Sequence, residues 1–332
     1  MSKIIFFYIL LIFFKCEEIK KETDCSNNKI IDKRKIYFDM DGNIDDIVCL
    51  LLLLFFPNIE LVGVAITPGD CDIPPAMEAV SKIIYKKGAK IPIVASNIEG
   101  INPFPQSFKD LTVKALVLPT FLNTEYIKDN EINMEASEHM YITAKKIFLE
   151  NNEKLSFLIT GPPSTLVKAI NEHPDMKKYI EEVIWMGGAI DTMGNVPNSP
   201  YAEFNAYWDP PSVKKLIESG LKIKIFSLDS TNDVPLNKKF LSRLAKISDK
   251  YNVANLANQL YAISYFIDPQ GRDTYYAWDT LTTCYVGFNE LIDFREEEVD
   301  VIIDKTNNIN ENQEGRIYKK RVQIILFKLL RK

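Results

Sequence analysis

Phe38-Asp39-Met40-Asp41-Gly42-Asn43-Ile44-Asp45-Asp46-Ile47 crowds four carboxylates between two apolar runs. Ile36-Tyr37-Phe38 leads into the stretch, and Ile47-Val48-Cys49-Leu50-Leu51-Leu52 leads out of it. Ionised side chains enter a protein interior only when something pairs with them. Here a buried strand passes into a buried helix through an acidic turn. Asp39 and Asp41 alternate about Met40 and so share one side of the strand. Asp45 and Asp46 fall in the first helical turn, where free N–H groups and the helix dipole favour anions. Helix capping accounts for one or two of these carboxylates, not for four. A divalent cation accounts for the whole set, because hard cations take oxygen ligands and cancel the repulsion between them. The stretch reads as a metal site at the end of a strand.

Outward from it, short apolar runs alternate with longer amphipathic ones, the pattern of βαβ units. Strands are expected over residues 35–39, 60–67, 91–95, 154–160, 182–186 and 222–228, with two more over 299–304 and 321–327. Helices are expected over 45–56, 74–87, 136–151, 164–172, 210–219 and 253–266. Pro74-Pro75 and Pro210-Pro211 suit helix starts, where the missing N–H costs nothing. The expected fold is α/β, a largely parallel central sheet flanked by helices. Such sheets hold ligands beyond the carboxyl ends of their strands. Five of those ends carry polar or glycine-rich residues: Asp39 to Asp46, Thr67-Pro68-Gly69-Asp70, Thr160-Gly161-Pro162, Met186-Gly187-Gly188 and Ser227-Leu228-Asp229.

Composition narrows the partners. A net charge of -5, with no stripe of Lys and Arg interleaved with aromatics, gives nucleic acid nothing to grip. Five cysteines at irregular spacing make neither a disulfide framework nor a zinc pattern, and Cys49 and Cys284 read as small core residues. The two histidines, His139 and His173, have no Ser or Cys motif beside them, which argues against a histidine-based triad. At the N-terminus, Lys3 precedes the apolar run Ile4 to Phe14, too short to span a bilayer but suited to a signal peptide. Residues 1–16 are read as a signal peptide or signal anchor, 17–33 as a polar linker and 34–332 as one catalytic domain. The expected location is the secretory pathway or outside the cell, with no membrane span beyond that possible anchor.

Two families resemble the acidic stretch. Asp39-Met40-Asp41-Gly42 is similar to the first motif of haloacid-dehalogenase-type magnesium phosphatases, in which Asp39 would be the nucleophile. Asn43 stands where those enzymes have Thr, and their later Lys and acidic motifs have no convincing match. The second resemblance, to the nucleoside hydrolases, runs in order over residues 34 to 305. It comprises Asp39-Met40-Asp41-Gly42-Asn43-Ile44-Asp45-Asp46, Val62-Gly63-Val64-Ala65, Asp70-Cys71, Asn102-Pro103-Phe104-Pro105 and Ile159-Thr160-Gly161-Pro162. Trp185-Met186-Gly187-Gly188-Ala189, Ala202-Glu203-Phe204-Asn205, Tyr207-Trp208-Asp209-Pro210, Ser227-Leu228-Asp229-Ser230-Thr231-Asn232 and Tyr275-Tyr276-Ala277-Trp278-Asp279 continue it. Asp41-Gly42-Asn43, Asp70-Cys71 and Ala277-Trp278-Asp279 resemble the purine-specific inosine–adenosine–guanosine subgroup. Inosine–uridine relatives usually carry histidine where Trp278 stands.

The resemblance implies calcium-dependent hydrolysis of the N-glycosidic bond of purine ribonucleosides. It implies Asp41, Asp46, Asp279 and the backbone carbonyl of Thr160 as ligands of Ca2+, with Asp41 also the base for the attacking water. Asp45, Asn195, Glu203 and Asn205 would hold the ribose hydroxyls, with Met186 packed at the sugar end. Asn43 and Asp70 would face the base, and Trp278 would form one stacking wall. Phe108 stands where the subgroup has the Trp of the opposite wall, a smaller ring without an N–H. Phe204 likewise replaces a Trp. Asp39 is either a neighbour of the ligands or a structural partner, Asp229 a brace of its strand-end turn, and Arg272 a further residue that could assist the base. The implied assembly is a homodimer, and Phe108 also admits a weakly catalytic nucleoside-binding protein.

Overall fold

The computed structural model describes residues 33–119, 122–267, 275–306 and 312–328. The leader at 1–16, the linker up to residue 32, Cys16, Cys25 and the loop bearing Arg272 lie outside the described residues.

Strand β1 (Arg34–Met40) is buried on both faces from Ile36 onward, as a central parallel strand requires. Its side chains alternate between two cores. Ile36, Phe38 and Met40 enter one, and Tyr37 enters the other. Helix α1 (Ile44–Phe55) follows after a three-residue turn. Asn43 caps it, and Asp46 accepts the Asn43 backbone N–H at 2.9 Å, so a capping box fixes where strand gives way to helix. Gly42 makes that turn at φ +86°, and a Cβ there would lie 2.6 Å from the Cβ of Ala76.

The chain continues through β2 (Ile59–Ile66), α2 (Ile73–Lys87), β3 (Ile93–Ala95), α3 (Gln106–Val117), β4 (Glu131–Glu135) and α4 (Ala136–Asn151). Next come β5 (Leu155–Ile159), α5 (Ser164–Glu172), β6 (Ile180–Met186), α6 (Phe204–Trp208), α7 (Pro210–Ile217), β7 (Ile223–Phe226) and α8 (Leu228–Thr231). The last elements are β8 (Pro235–Leu236), α9 (Lys238–Ser248), α10 (Asn252–Ile267), β9 (Tyr275–Tyr276), α11 (Trp278–Gly287), β10 (Asp293–Val301) and β11 (Ile317–Lys328). Among the described residues nine strands form one sheet in the order β10-β11-β7-β6-β5-β1-β2-β3-β4, and β8 pairs with β9 separately. All pairings in the large sheet are parallel except β10 with β11.

From β1 the chain first builds outward through β2, β3 and β4, then returns to β5 on the other side of β1. The crevice between the carboxyl ends of β1 and β5 is therefore the switch point of the sheet. Core residues from α1, α2, α10 and α11 cover one face, and those from α4, α5 and α7 cover the other. The α/β fold expected from the sequence is the fold observed. Strands β4, β8 and β9 and helices α3, α6, α8, α9 and α11 are additions to that reading. No described helix is long and apolar enough to cross a membrane.

Candidate active site

The acidic turn sits at the β1–β5 switch point. Asp39, Asp41, Asp45 and Asp46 are all buried, and Asp279, in the first turn of α11, is buried beside them. Asp41 hydrogen-bonds Asp46 through their carboxyl groups, and Asp279 does the same with Asp45. The Thr160 hydroxyl, at the end of β5, donates to Asp46 Oδ1. The backbone N–H of Asp70 reaches Asp41 Oδ2 at 3.3 Å, and the Asn43 amide donates to Asp70. Two glycines make this packing possible. A Cβ on Gly161 would come within 2.7 Å of the Asp41 Cβ, and one on Gly69 within 2.4 Å of Asp41 Oδ2.

The proton affinities follow from burial. Burial pushes Asp45 up to about 7, with the Asp46 charge adding to it. It drives Asp41, Asp70 and Asp279 well above the carboxylate range, with neighbouring aspartates again adding. Asp39 rises to about 8, for the same first reason, against the hydrogen bond from Thr67. That bond measures 2.7 Å and begins a buried chain, Asp39–Thr67–Thr165–Ser96, across the ends of β1, β2, α5 and β3. Among the described residues Asp39 Oδ2 has no hydrogen-bond partner, although Asp39 is only 1% exposed. Asp39 is thus held from behind by hydroxyls, which gives the structural side of its two sequence readings a concrete form.

The sugar-side residues gather at the end of β6. Glu203 caps α6. Its carboxylate accepts from the backbone N–H groups of Asn205 and Gly188, both at 2.8 Å, and of Ala206 at 3.2 Å. Burial pushes Glu203 up to about 7 against those three bonds. The Asn205 amide bridges two strand ends, donating to the carbonyls of Thr160 at 2.9 Å and Met186 at 3.2 Å. Asn195 Oδ1 accepts from the Phe204 N–H at 3.1 Å. Asn195, Glu203 and Asn205 therefore form one braced corner, with much of their polar capacity already used by backbone. Asp229 accepts the N–H groups of Ile190 and Asp191 and the Ser227 hydroxyl, the turn-bracing role read from the sequence.

Aromatic side chains form two groups. Phe204 stacks on Phe104 with centroids 5.1 Å apart and meets Phe108 edge-on at 5.3 Å. Trp278 meets Tyr275 edge-on at 4.8 Å and lies 5.7 Å from Tyr276. A cleft of about 390 Å³ opens beside Trp278, lined also by Met193, Asn195, Asn232 and Tyr276. Tyr275 is a site residue to which the sequence motif alone assigns no role. Its hydroxyl donates to Asp45 Oδ1 at 3.2 Å and lies 3.4 Å from the Asn43 amide, so it joins the acidic turn to the Trp278 wall. Its place three residues before Trp278, in a fingerprint otherwise rich in site residues, was the available signal.

A sequence profile of the inosine-uridine preferring nucleoside hydrolase family matches residues 36–325. The chain belongs to that family. An inosine-uridine preferring nucleoside hydrolase from Bacillus anthracis is similar in structure, with 33% identity and a TM-score of 0.77 over 89% of this chain and 93% of its own. The purine-preferring ribonucleoside hydrolase from Gardnerella vaginalis shares the fold at 18% identity, with a TM-score of 0.70 over 89% of this chain and 93% of its own. The pyrimidine-specific ribonucleoside hydrolase RihB of Escherichia coli is 24% identical over 65% of this chain and 66% of its own length. The protein is thus a nucleoside hydrolase-family enzyme with a small-molecule nucleoside as its substrate class, and the phosphatase reading of Asp39-Met40-Asp41-Gly42 gives way to it.

The donor set of this hydrolase fits a hard divalent cation. Every candidate donor in the acidic turn is an oxygen, and the carboxyls are buried against one another. Among the described residues no three acidic, cysteine or histidine side chains already stand as a metal cage. Ionising both members of the Asp41–Asp46 or the Asp45–Asp279 pair costs strongly in a buried site unless a positive charge joins them.

Proposed function

We propose that this hydrolase cleaves the N-glycosidic bond of purine ribonucleosides in a calcium-dependent reaction, releasing free base and ribose. Asp41, Asp46, Asp279 and the Thr160 carbonyl would hold the ion. Bound calcium supplies the positive charge that keeps these carboxylates ionised and makes a neighbouring water more acidic. Asp41, fixed between Gly69 and Gly161, takes the proton of the attacking water. Asp45 and the Asn195–Glu203–Asn205 corner orient the ribose, and the surrounding carboxylates stabilise the positive charge that grows on the sugar as the bond breaks.

The observation that carries the purine reading is Trp278, half-buried directly before the buried Asp279 and packed on Tyr275 and Tyr276. By the family resemblance it stands where inosine–uridine relatives usually carry histidine, and it would offer the base an aromatic wall instead of an imidazole. The two histidines are engaged elsewhere, His139 with Tyr37 and His173 with Glu138. A two-ring base gains more than a one-ring base from stacking, since the buried area is larger. Pyrimidine-specific relatives make uridine and cytidine the decisive competitors. Initial rates of base release should favour inosine over uridine at least tenfold in kcat/KM, and equal rates would reject purine preference. Asp41→Asn should lower kcat on inosine about 10²- to 10⁴-fold, the range for loss of a general base. Turnover of inosine by that variant at close to the wild-type rate would remove Asp41 from the role.

A further inference from the structure

We propose that Asn232 is the positioning residue that fixes the Trp278 indole as the stacking wall for a two-ring base, an inference that rests on the purine reading above. The indole N–H donates to Asn232 Oδ1 at 3.3 Å, and both side chains line the cleft of about 390 Å³. Packing alone leaves the angle of the ring loosely set. The last torsion of a Trp side chain has broad wells instead of three narrow ones. Ring contacts with Tyr275 at 4.8 Å and Tyr276 at 5.7 Å tolerate a range of tilts. A hydrogen bond to the indole N–H is directional and selects one of them.

The fold brings Asn232 to this place. It ends α8, where its N–H donates to the Leu228 carbonyl at 3.1 Å. Strand β8 follows and pairs with β9, setting Pro235 opposite Tyr276, and the Ala277 N–H donates to the Val234 carbonyl at 3.0 Å. The segment that carries Asn232 is thus locked to the segment that carries Trp278. The backbone does not demand asparagine there. Asn232 has φ −68° and ψ −10°, an ordinary right-handed conformation open to most residues. Its side chain caps no helix either, since Asn237 caps α9. What its residue type contributes is an amide oxygen on the cleft wall. Asn232 is exposed, so in the open cleft water competes for the indole N–H. A base seated on Trp278 excludes that water, and Asn232 then spares the N–H an unpaired burial. A two-ring base covers more of the indole than a one-ring base, so it loses more contact when the ring tilts.

The test pairs kinetics with tryptophan fluorescence. Asn232→Leu keeps the bulk but removes the acceptor, and Asn232→Asp keeps an acceptor oxygen. In Asn232→Leu, kcat/KM on inosine should fall about 3- to 10-fold, the range for losing one hydrogen bond that a bound ligand buries. On the one-ring substrate p-nitrophenyl β-D-ribofuranoside it should fall less than about twofold. Asn232→Asp should retain most of the inosine rate. Acrylamide quenching reads the ring directly, because Trp185 and Trp208 are 0% and 2% exposed and Trp278 is the only other tryptophan. Quenching should rise in Asn232→Leu and not in Asn232→Asp. Equal falls on both substrates, an unchanged inosine rate or unchanged quenching in Asn232→Leu each overturn the proposal, as does an equal loss in Asn232→Asp. Asn232 is exposed, so both variants should unfold at the wild-type temperature. A lower one for Asn232→Leu alone would make its kinetic loss a loss of fold and overturn the proposal. A wild type without purine preference overturns the parent reading and this one with it; a purine-preferring wild type matched by Asn232→Leu overturns this one alone.

Discussion

Asp41 shows how much of the site is written in single residues and how much is not. Its acidity, its place at a strand end and its carboxylate neighbours are all legible in the sequence, because residues 39–46 hold them together. Its enclosure is not. Gly69 and Gly161 approach it from two other strand ends, and nothing local to either glycine announces Asp41 as the reason. Gly161→Ala is accordingly predicted to act on chemistry through space. The new Cβ would meet the Asp41 Cβ at 2.7 Å and its backbone N at 3.1 Å, so Asp41 or the β5 end must move. Overpacking of this kind costs about 1–3 kcal/mol. The variant should unfold at lower temperature and bind calcium more weakly by titration calorimetry; wild-type calcium affinity would show that Asp41 tolerates the shift. Glu203 illustrates the opposite limit of sequence reading. The family resemblance implies a sugar contact for it; that its oxygens also accept from three backbone N–H groups is revealed only by the path of the 187–206 segment.

At the scale of elements, the buried strands and the helices with clear apolar stripes were readable, because a parallel sheet leaves continuous apolar runs. Strand β4 escaped because Glu131-Ile132-Asn133-Met134-Glu135 is a mostly exposed edge strand with charged ends. Helix α3 escaped because only Thr112, Ala115 and Leu116 are buried in it, too few to mark a stripe. The packing of α4 on the sheet yields a pH prediction. His139 of α4 shares a 2.7 Å hydrogen bond with the Tyr37 hydroxyl of β1. Burial holds the imidazole below its ordinary value of 6.5. A group lowered on folding adds stability above its unfolded pKa and forfeits it as pH falls through the folded one. His139 should therefore subtract stability to urea as pH drops below about 6.5, whereas the raised buried carboxyls add stability as pH falls through the same window. His139→Gln should accordingly be more stable relative to wild type at pH 5 than at pH 7; an unchanged difference would show that this histidine does not contribute.

For the whole molecule, a cation held by the acidic turn would make stability and cation binding one equilibrium. Side chains from α1, the end of β5 and the start of α11 meet only when the sheet is complete, so the unfolded chain offers no comparable site. An ion that binds only the folded form stabilises it by about 2.7 kcal/mol at a hundredfold excess over its Kd. Calcium should raise Tm relative to protein stripped with EGTA, and magnesium should do so less, since it accepts a narrower range of ligand geometry. No response to calcium would remove the metal from the proposed function. The position of β11 has a different consequence. It enters the sheet between β7 and β10 rather than at an edge, pairing parallel to one and antiparallel to the other. During synthesis, β10 emerges before the strand that joins it to the sheet. The ribosome thus releases β1 to β7 with one flank open, and that flank stays available to chaperones, or to another chain, until Ile317–Lys328 is clear of the exit tunnel.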